Sequence, residues 1–354
     1  RARTAPRMPQ LPTMNPSTQL IPRLRLPEAI IDGHAEGYLW DARTMEGQFS
    51  KIVYPKQGHA NVHMLYRYGT AILGTLNDTN RYVAMYRSPN LEFVVNQSIW
   101  NEGDVQFADV ILPASVFVEK TGTFTNTNRQ IQLARPALDI YGDARQDWWI
   151  IKELANRIGL DWNYKGPEDI FNEMKKTMQS LDNITWHRLE NEDAVTYPCS
   201  SKDKPGDDII FSEVFPTKSG KAKLVPAQII PPAELPDKDY PLILTTGRVL
   251  EHWHTGAMTR RAKTLNSLED IPTASLHPKQ LKSLSLLAGD QAYFTTRRGK
   301  IKSHVRADRD VPEGMVFIPF CFHEAAANIL TNPQLDPIGK IPEFKFCAAK
   351  VDGV

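Results

Sequence analysis

The chain has 354 residues, and its length, composition and charge already exclude several kinds of protein. At roughly 150 residues per domain, the length predicts two domains. The 42 basic and 41 acidic residues leave a formal charge of +1, which argues against a protein built mainly to hold nucleic acid. Hydrophobic residues make up 41%, and no apolar stretch reaches the ~18 residues of a spanning helix, so no transmembrane segment is predicted.

The three cysteines and the first residues limit the chemistry further. Cys199, Cys321 and Cys347 form no CxxC pair, which excludes a thiolate-bound iron–sulfur cluster or a structural zinc site within this chain. The sequence begins with Arg1 rather than Met, so we expect a processed, truncated or absent start, and a targeting signal could have been lost with it. Residues 1–27 hold five arginines and predict either a flexible arm or a basic docking arm.

From His63 onward, alternating elements predict a Rossmann-like parallel α/β domain over residues 61–165, after an arm and lead-in at 1–60. Strands are predicted in HMLYRYG, LEFVVNQ and ADVILPAS, with a glycine-punctuated loop in TAILGTL. One helix is expected to begin at Asn77–Thr79 and to stop before Pro89. A polar loop, TGTFTNTNRQIQ, then precedes a helix in ARQDWWIIKELANRIGL that Gly159 ends.

The remaining sequence predicts a linker or insertion at residues 166–236 and a β-barrel domain at 237–354. The linker contains a polar helix in PEDIFNEMKKTMQSL, a hairpin-like VFPTKSGKAKLV and a proline-rich hinge. The barrel begins with the strand PLILTTGR and continues with a short helix that Gly289 ends. A hairpin turning at Arg298–Gly299 and the strand PEGMVFIPF follow.

Several polar residues of the first domain are candidates for binding a phosphate or a base. The loop Gly69–Gly74 lies between a strand and a helix, where backbone N–H groups approach a phosphate closely, although a plain tight turn is equally consistent. Gln97 and Ser98 end a strand, and Asn126 lies in the next polar loop. Asp147 begins a helix, where its carboxylate either caps the helix or accepts two N–H bonds from a guanine edge.

The second domain repeats this pattern in TTGRVLEHWHTGAMTRR, which places Arg248, His252 and Trp253 just after a strand. An arginine there grips a pyrophosphate with two parallel hydrogen bonds. His252 and His254 stand two apart, as metal ligands on a strand would, but no third ligand is predicted nearby, which disfavours metal binding.

A proline-stiffened segment near the carboxyl terminus completes the set of candidates. It holds Asn328, Phe344 and Lys345, and an ordered C-terminal strap explains it equally well. The sequence presents no nucleophile, metal-ligand set or acid–base pair, so no catalytic residue is assigned. This pattern is typical of the binding half of a large cofactor rather than of a complete catalyst.

Four segments carry a family likeness: FADVILPASVFVEKTGTFTNTNRQIQ, DWWIIKELANRIGL, TTGRVLEHWHTGAMTRR and LTNPQLDPIGKIPEFKFCAAKV. Together they resemble the C-terminal half of molybdopterin oxidoreductases of the dimethyl sulfoxide reductase superfamily. From about Ser115 to Val351 the chain is most similar to formate dehydrogenase α subunits. Residues 62–113, which include MLYRYGTAILGTLNDTNRYVAMYRSP, are more similar to the transhydroxylase and acetylene-hydratase-like branch. Formate dehydrogenases more usually have a GxNP turn where this chain has Gly69-Thr70-Ala71, and this departure leaves the substrate open.

The resemblance implies a bis-molybdopterin guanine dinucleotide cofactor with molybdenum or tungsten, shared with an N-terminal half. That half would supply the 4Fe-4S cluster ligands, the metal-bound cysteine or selenocysteine and the catalytic histidine. By motif position, Gly69, Gln97, Ser98 and Asp147 would contact one nucleotide, and Arg248, His252 and Trp253 a pterin. Asn328, Phe344 and Lys345 would form a closing loop, and the last domain would be a six-stranded double-psi β-barrel.

The expected function is therefore the cofactor-binding part of a formate dehydrogenase, which oxidises formate to CO2 and passes two electrons to iron–sulfur clusters. Its expected partners are the N-terminal half, an iron–sulfur or diaphorase subunit and formate itself, with no nucleic acid and no direct membrane span. A cytoplasmic location is expected, with a periplasmic one also open. Two alternatives stay open: a transhydroxylase or hydratase, and a non-catalytic module that stores or delivers the cofactor.

Overall fold

A computed structural model describes residues 19–40, 49–101, 103–178, 181–337 and 340–354, so most of the predicted arm lies outside the described residues. The described N-terminal region, from which little was predicted, contains a helix and a small antiparallel sheet. Its elements are β1 (Gln19–Leu20), α1 (Leu26–Ile31), β2 (Ala35–Trp40) and β3 (Phe49–Tyr54). Pro27 and Glu28 stand in the first turn of α1, where a missing N–H and a negative charge both favour a helix start.

A parallel three-stranded sheet follows, in the order β4–β5–β6. Its strands and helix are β4 (Met64–Tyr68), α3 (Thr79–Tyr86), β5 (Phe93–Ser98) and β6 (Val110–Pro113). Tyr82 and Met85 of α3 pack against Val94 in one buried cluster. Because the strands are parallel, their carboxyl ends lie along one edge of the sheet, and the predicted α/β class is confirmed.

The segment predicted as a glycine-punctuated loop contains one helical turn, α2 (Ile72–Thr75). The backbone N–H groups of Ile72 and Leu73 donate to the carboxylate of Asp104, which also pairs with Arg67 at 2.7 Å. Asp104 lies about thirty residues downstream. The stabilising partner of the turn is therefore remote in sequence, and local propensity does not reveal it.

Residues 122–196 build a second small sheet with three helices. The polar loop predicted there is partly strand, since β7 (Gly122–Thr125) pairs with β8 (Gln130–Ala134), and β8 pairs with β9 (Val195–Thr196). The helices are α4 (Asp147–Arg157), α5 (Pro167–Thr177) and α6 (Trp186–Asn191). Ile131 of β8 packs with Phe171 and Leu189 in a shared cluster. The hairpin predicted in VFPTKSGKAKLV is wrong, because residues 201–241, all of them described, contain neither strand nor helix.

The C-terminal region is a closed barrel of six strands in the order β10–β14–β11–β13–β12–β15. Its elements are β10 (Leu242–Gly247), α7 (Lys263–Leu268), β11 (Thr273–Leu276), α8 (Pro278–Ser283), β12 (Gln291–Thr295), β13 (Lys300–Ala307), β14 (Met315–Pro319) and β15 (Cys347–Gly353). Leu244, Phe294 and Val316 are fully buried in its core. The predicted barrel is confirmed, but α8 ends at Ser283 rather than at Gly289.

Hydrogen bonds join the α/β layer to the barrel at the start of α3. The Asn77 side chain donates to the carbonyl oxygen of Asn332 at 2.8 Å, and the Asp78 N–H donates to Thr331 Oγ1 at 3.0 Å. Asn80 Nδ2 donates to the Ile329 carbonyl oxygen at 3.0 Å. These contacts hold the barrel loop 327–332 against the α/β layer. In the described part of the chain, no helix has both the length and the apolarity needed to cross a membrane.

We expect Asp104→Asn to lower the free energy of unfolding by about 3–5 kcal/mol. The side chains of Asp104 and Arg67 are 1% and 4% exposed, so the substitution leaves a buried guanidinium without its counter-charge. Chemical denaturation of the two proteins measures the change. The matched control is Glu92→Gln, which removes an exposed partner of His63 in the same layer and should cost less than about 1 kcal/mol. Equal losses in the two variants would contradict the assignment.

Candidate functional site

A chain of side-chain hydrogen bonds runs along the carboxyl edge of the parallel sheet. Tyr66 donates its hydroxyl proton to Gln97, and Gln97 Nε2 donates to Asp147 Oδ1 at 2.7 Å. Lys120 donates to the other carboxylate oxygen of Asp147 and, at 3.2 Å, to the Ser115 carbonyl oxygen. The structure therefore brings together Gln97 and Asp147, which were predicted separately, and adds Lys120, which was not predicted.

A cavity of about 250 Å³ lies beside this network. Lys120 and Asp147 are among the residues that line it, and Phe124, Trp148 and Phe171 supply aromatic surface. Apolar and aromatic surface with a few polar groups is typical of a site for a small molecule. The cavity is formed jointly by the start of α4, the strand β7 and the helix α5.

Two buried polar side chains near the strand ends have no hydrogen-bond partner among the described residues. Both polar atoms of Asn96 and the hydroxyl of Ser115 are in this state, and the two residues are 1% and 0% exposed. Asn96 lies on β5, and Ser115 follows β6. Buried polar groups are nearly always satisfied in folded proteins, so these three atoms are exceptions within the core beside the sheet edge.

Three other candidates of the first domain take different positions. Gly69 follows β4 with a φ of +58°, a conformation that a larger residue would adopt only with strain. Ser98 Oγ accepts a hydrogen bond from the Trp100 N–H at 3.1 Å and so shapes the turn after β5. Asn126 lies at the exposed turn of the β7–β8 hairpin, and its side chain donates to Gln132. The far end of that hairpin, at Gly122, is the part that lines the cavity.

The rim of the barrel carries two cations around one aromatic ring. The Arg248 guanidinium lies 6.0 Å from the Phe320 ring and 5.7 Å from the Trp253 ring. Lys345 Nζ lies 5.7 Å from the same Phe320 ring and donates to the Thr246 carbonyl oxygen. Within the described residues neither cation pairs with a carboxylate. The described rim therefore presents two positive charges without a paired carboxylate. Burial, and secondly the Arg248 charge, lower the pKa of Lys345.

The remaining candidates support this rim from within. His252 is 1% exposed, and its Nε2 lies 2.6 Å from the Glu269 carbonyl oxygen, so the ring points into the protein. The predicted contact of His252 with a cofactor stays a prediction. Phe344 offers its carbonyl oxygen to the Thr246 hydroxyl at 3.0 Å. Asn328 Nδ2 donates to the Gly74 carbonyl oxygen at 3.3 Å, so Asn328 joins the two layers. Among the described residues, no group of three or more His, Cys, Asp or Glu side chains is placed to hold a metal ion.

The sheet edge and the barrel rim meet across the loop that follows β10. A β-carbon on Gly74 would lie 3.1 Å from Cγ2 of Thr255, so the absence of a side chain there permits the close approach. On the other side, the Arg261 guanidinium lies 4.7 Å from the Trp100 ring. The loop that follows β10 and the segment after it therefore contact the turns that follow β4 and β5.

Two family profiles match the chain, one over each region. The molybdopterin oxidoreductase family matches residues 34–157, and the family described as molydopterin dinucleotide binding domain matches residues 242–348. The second match covers the barrel, including Arg248 and Lys345.

Curated relatives and one solved structure extend this likeness. The chain is 44% identical over 267 residues to the F420-dependent formate dehydrogenase subunit alpha of Methanocaldococcus jannaschii, covering 75% of this chain and 40% of that protein. It is 33% identical over 270 residues to the assimilatory nitrate reductase catalytic subunit of Bacillus subtilis, covering 74% and 38%. The structure of acetylene hydratase from Pelobacter acetylenicus shares the fold, with a TM-score of 0.66, 19% identity and coverage of 85% and 45%. The chain thus spans about 40% of the length of these two curated relatives.

We expect sulfate to bind the barrel rim with an affinity that falls as the pH rises, and the fall should occur at a lower pH than an ordinary lysine would give. Lys345 must be protonated to attract the anion, and its pKa lies below the usual 10.5. Loss of that charge should weaken binding about fivefold, since one exposed charge pair contributes roughly 1 kcal/mol. Titration calorimetry between pH 7 and 10 measures the change. Lys345→Arg keeps its charge over this range and should retain its affinity, and parallel curves for the two proteins would refute the assignment.

Proposed function

Because the chain belongs to the molybdopterin oxidoreductases of the dimethyl sulfoxide reductase superfamily, we propose that it is the C-terminal, cofactor-binding part of a formate dehydrogenase. Formate would be oxidised to CO2, and two electrons would pass to iron–sulfur clusters outside this chain. The proposal is supported by the formate dehydrogenase relative, which shares 44% of its aligned residues with this chain. The relative named as a nitrate reductase is less similar, at 33%.

The side chains of the sheet edge and of the barrel rim suit a molybdopterin guanine dinucleotide. The unpaired cations Arg248 and Lys345 would face its pyrophosphate, because an anion there removes their mutual repulsion. Asp147 and Lys120 would contact the guanine, whose N1 and N2 donors suit a carboxylate and whose O6 suits an ammonium group. When bound, the cofactor would supply the molybdenum or tungsten centre that takes up two electrons from the substrate.

This chain would position the cofactor, and other polypeptide would complete the enzyme. We propose as partners an N-terminal half with the iron–sulfur and metal ligands, and an iron–sulfur or diaphorase subunit that removes electrons. We propose a cytoplasmic location, with which the three free thiols of the chain are compatible. The dinucleotide would lie between the α/β region proposed at 61–165 and the barrel region proposed at 237–354.

The observation that carries the proposal is the pair of unbalanced cations on the barrel that the dinucleotide-binding family matches. The test is to purify the natural protein with its partners, determine its pterin, molybdenum and tungsten content, and assay it. We expect formate-dependent reduction of a dye and no nitrate-dependent oxidation of reduced dye. A protein that contains the pterin but acts only on nitrate would refute the substrate, and one without pterin would refute the cofactor.

We expect Asp147→Asn to lower the affinity for the guanine dinucleotide about tenfold. The amide cannot accept two hydrogen bonds from guanine, and its NH2 group would face Gln97 Nε2 or Lys120, both of which are donors. Pterin and metal content after purification, followed by the rate of cofactor release, measures the effect. Glu153→Gln is the matched control, because Glu153 lies on the same helix and, among the described residues, pairs only with exposed Arg157. Unchanged retention in Asp147→Asn would leave Asp147 as a structural residue at the start of α4.

A further inference from the structure

A cluster of charged side chains joins the β2–β3 hairpin to the loop that precedes β15. We call residues 333–337 and 340–346 the closing loop, because they lead to Lys345 at the barrel rim. Lys340 Nζ lies 2.7 Å from Glu36 Oε1, and the two side chains are only 11% and 16% exposed. The pair therefore connects the N-terminal hairpin to a loop of the barrel domain, more than three hundred residues later in the sequence.

The hairpin presents this carboxylate with two further partners already in place. Glu36 and Tyr38 are alternate residues of β2, and Lys51 of β3 is the register partner of Tyr38, so the three side chains project from one face. The Tyr38 hydroxyl donates to Glu36 Oε1 at 2.6 Å, and Lys51 Nζ lies 3.0 Å from Oε2. A carboxylate fixed by two donors loses little conformational freedom when Lys340 binds it, so the contact is preorganised.

The closing loop is folded so that Lys340 stands at its turn. The Asp336 N–H donates to the Ile341 carbonyl oxygen at 3.0 Å, and the Glu343 N–H donates to the Gln334 carbonyl oxygen at 3.1 Å. Lys340 has a φ of +52°, a backbone conformation that residues with a side chain rarely adopt. Its Nζ also donates to the Pro337 carbonyl oxygen at 2.8 Å. Contacts of the side chain therefore hold this turn in a conformation that the backbone alone does not prefer.

The other end of the closing loop reaches the proposed cofactor site. Thr246 of β10 receives Lys345 on its carbonyl oxygen and donates its hydroxyl proton to the Phe344 carbonyl oxygen at 3.0 Å. Within the loop only a few residues separate Lys340 from Lys345. A shift of the turn would therefore be transmitted to the position of the Lys345 ammonium group beside Arg248.

We infer that Glu36 is a positioning residue, which binds Lys340 and so sets the closing loop with Lys345 directed toward the anionic cofactor. The inference rests on the proposed function, in which Lys345 faces the pyrophosphate. An ordinary surface ion pair would contribute little to stability. This pair is mostly buried, and the Glu36 carboxylate accepts hydrogen bonds from three donors. Glu36 would act through Lys340 and would not itself touch the cofactor.

Titration does not weaken this contact near neutral pH. Hydrogen bonds from Lys340 and then Tyr38 lower the pKa of Glu36 to about 2, against its ordinary value of 4.5. The Glu36 carboxylate in turn raises the pKa of Tyr38 to about 12. The contribution of Glu36 to stability is thus fully present above about pH 4.5 and is lost as the pH falls toward 2. A substitution, rather than a pH change, is therefore the informative test.

The test compares Glu36→Gln, Lys340→Met and Lys340→Arg in the natural holoprotein. Hydrogen exchange of the closing-loop amides Asp336, Ile341 and Glu343 should be about tenfold faster in the first two variants, because a hydrogen-bonded charge is lost. Lys340→Arg keeps the cation and should exchange at the wild-type rate. Lys279→Met is the matched control, since it removes an ion pair with Glu313 on the outside of the barrel and should leave the loop unchanged.

The second measurement is the rate of pterin release, with the unfolding midpoint measured in parallel. We expect faster loop exchange and several-fold faster pterin release in Glu36→Gln and Lys340→Met, with an unchanged unfolding midpoint. In Lys340→Arg both rates should equal those of the wild-type protein. Unchanged exchange in Glu36→Gln would overturn the inference, and so would faster exchange without faster release. Absence of pterin from the wild-type protein is a different result, which refutes the proposed function, whereas the exchange measurement still decides whether Glu36 positions the loop.

Discussion

The contact between the start of α3 and the barrel loop 327–332 is the constraint on which the rest of the structure depends. It consists of short polar side chains bound to backbone groups, with Asn77 on the Asn332 carbonyl oxygen and Asp78 on Thr331. Asn77 and Asn332 are 4% and 3% exposed, so water does not compete for these hydrogen bonds. Such bonds are directional, and they fix distance and angle more narrowly than apolar packing does. The relative position of the sheet edge and the barrel rim follows from them.

Because that contact fixes the barrel rim relative to the sheet edge, it also fixes where the two cations of the rim lie. Arg248 and Lys345 are held near one Phe320 ring by aromatic and backbone contacts. A free chain would separate two like charges, and burial adds a further cost, as the lowered pKa of Lys345 reflects. The fold therefore holds two positive charges near one ring at the barrel rim. An anion bound between the layers would convert this cost into affinity, which is how binding sites commonly trade stability for function.

Local patterns predicted the parts of this molecule that local forces determine. The three parallel strands, α3 and α4 follow from β-branched runs, helical spacing and the stop at Pro89. The errors arose where a distant partner decides the conformation. The strand β7 has a turn-like composition and is a strand because β8 pairs with it. The turn α2 depends on Asp104, and the hairpin predicted around Lys221 lacks any strand partner among the described residues.

The residues of the candidate site also divide into those that local patterns predicted and those that depend on distant partners. Gln97, Asp147, Arg248 and Lys345 were identified one at a time from their places at strand and helix ends, but the contacts between them span up to about fifty residues within the first region. Lys120 gave no signal, because a single lysine in a polar segment has no pattern, and only its contact with Asp147 marks it. No sequence pattern marked Glu36 either, since its partner Lys340 lies in a different region. A position at the end of a strand or helix marks a residue as able to bind a ligand. Which of these residues act together depends on contacts between distant parts of the chain. A charge network is therefore the part of such a site that the sequence predicts least.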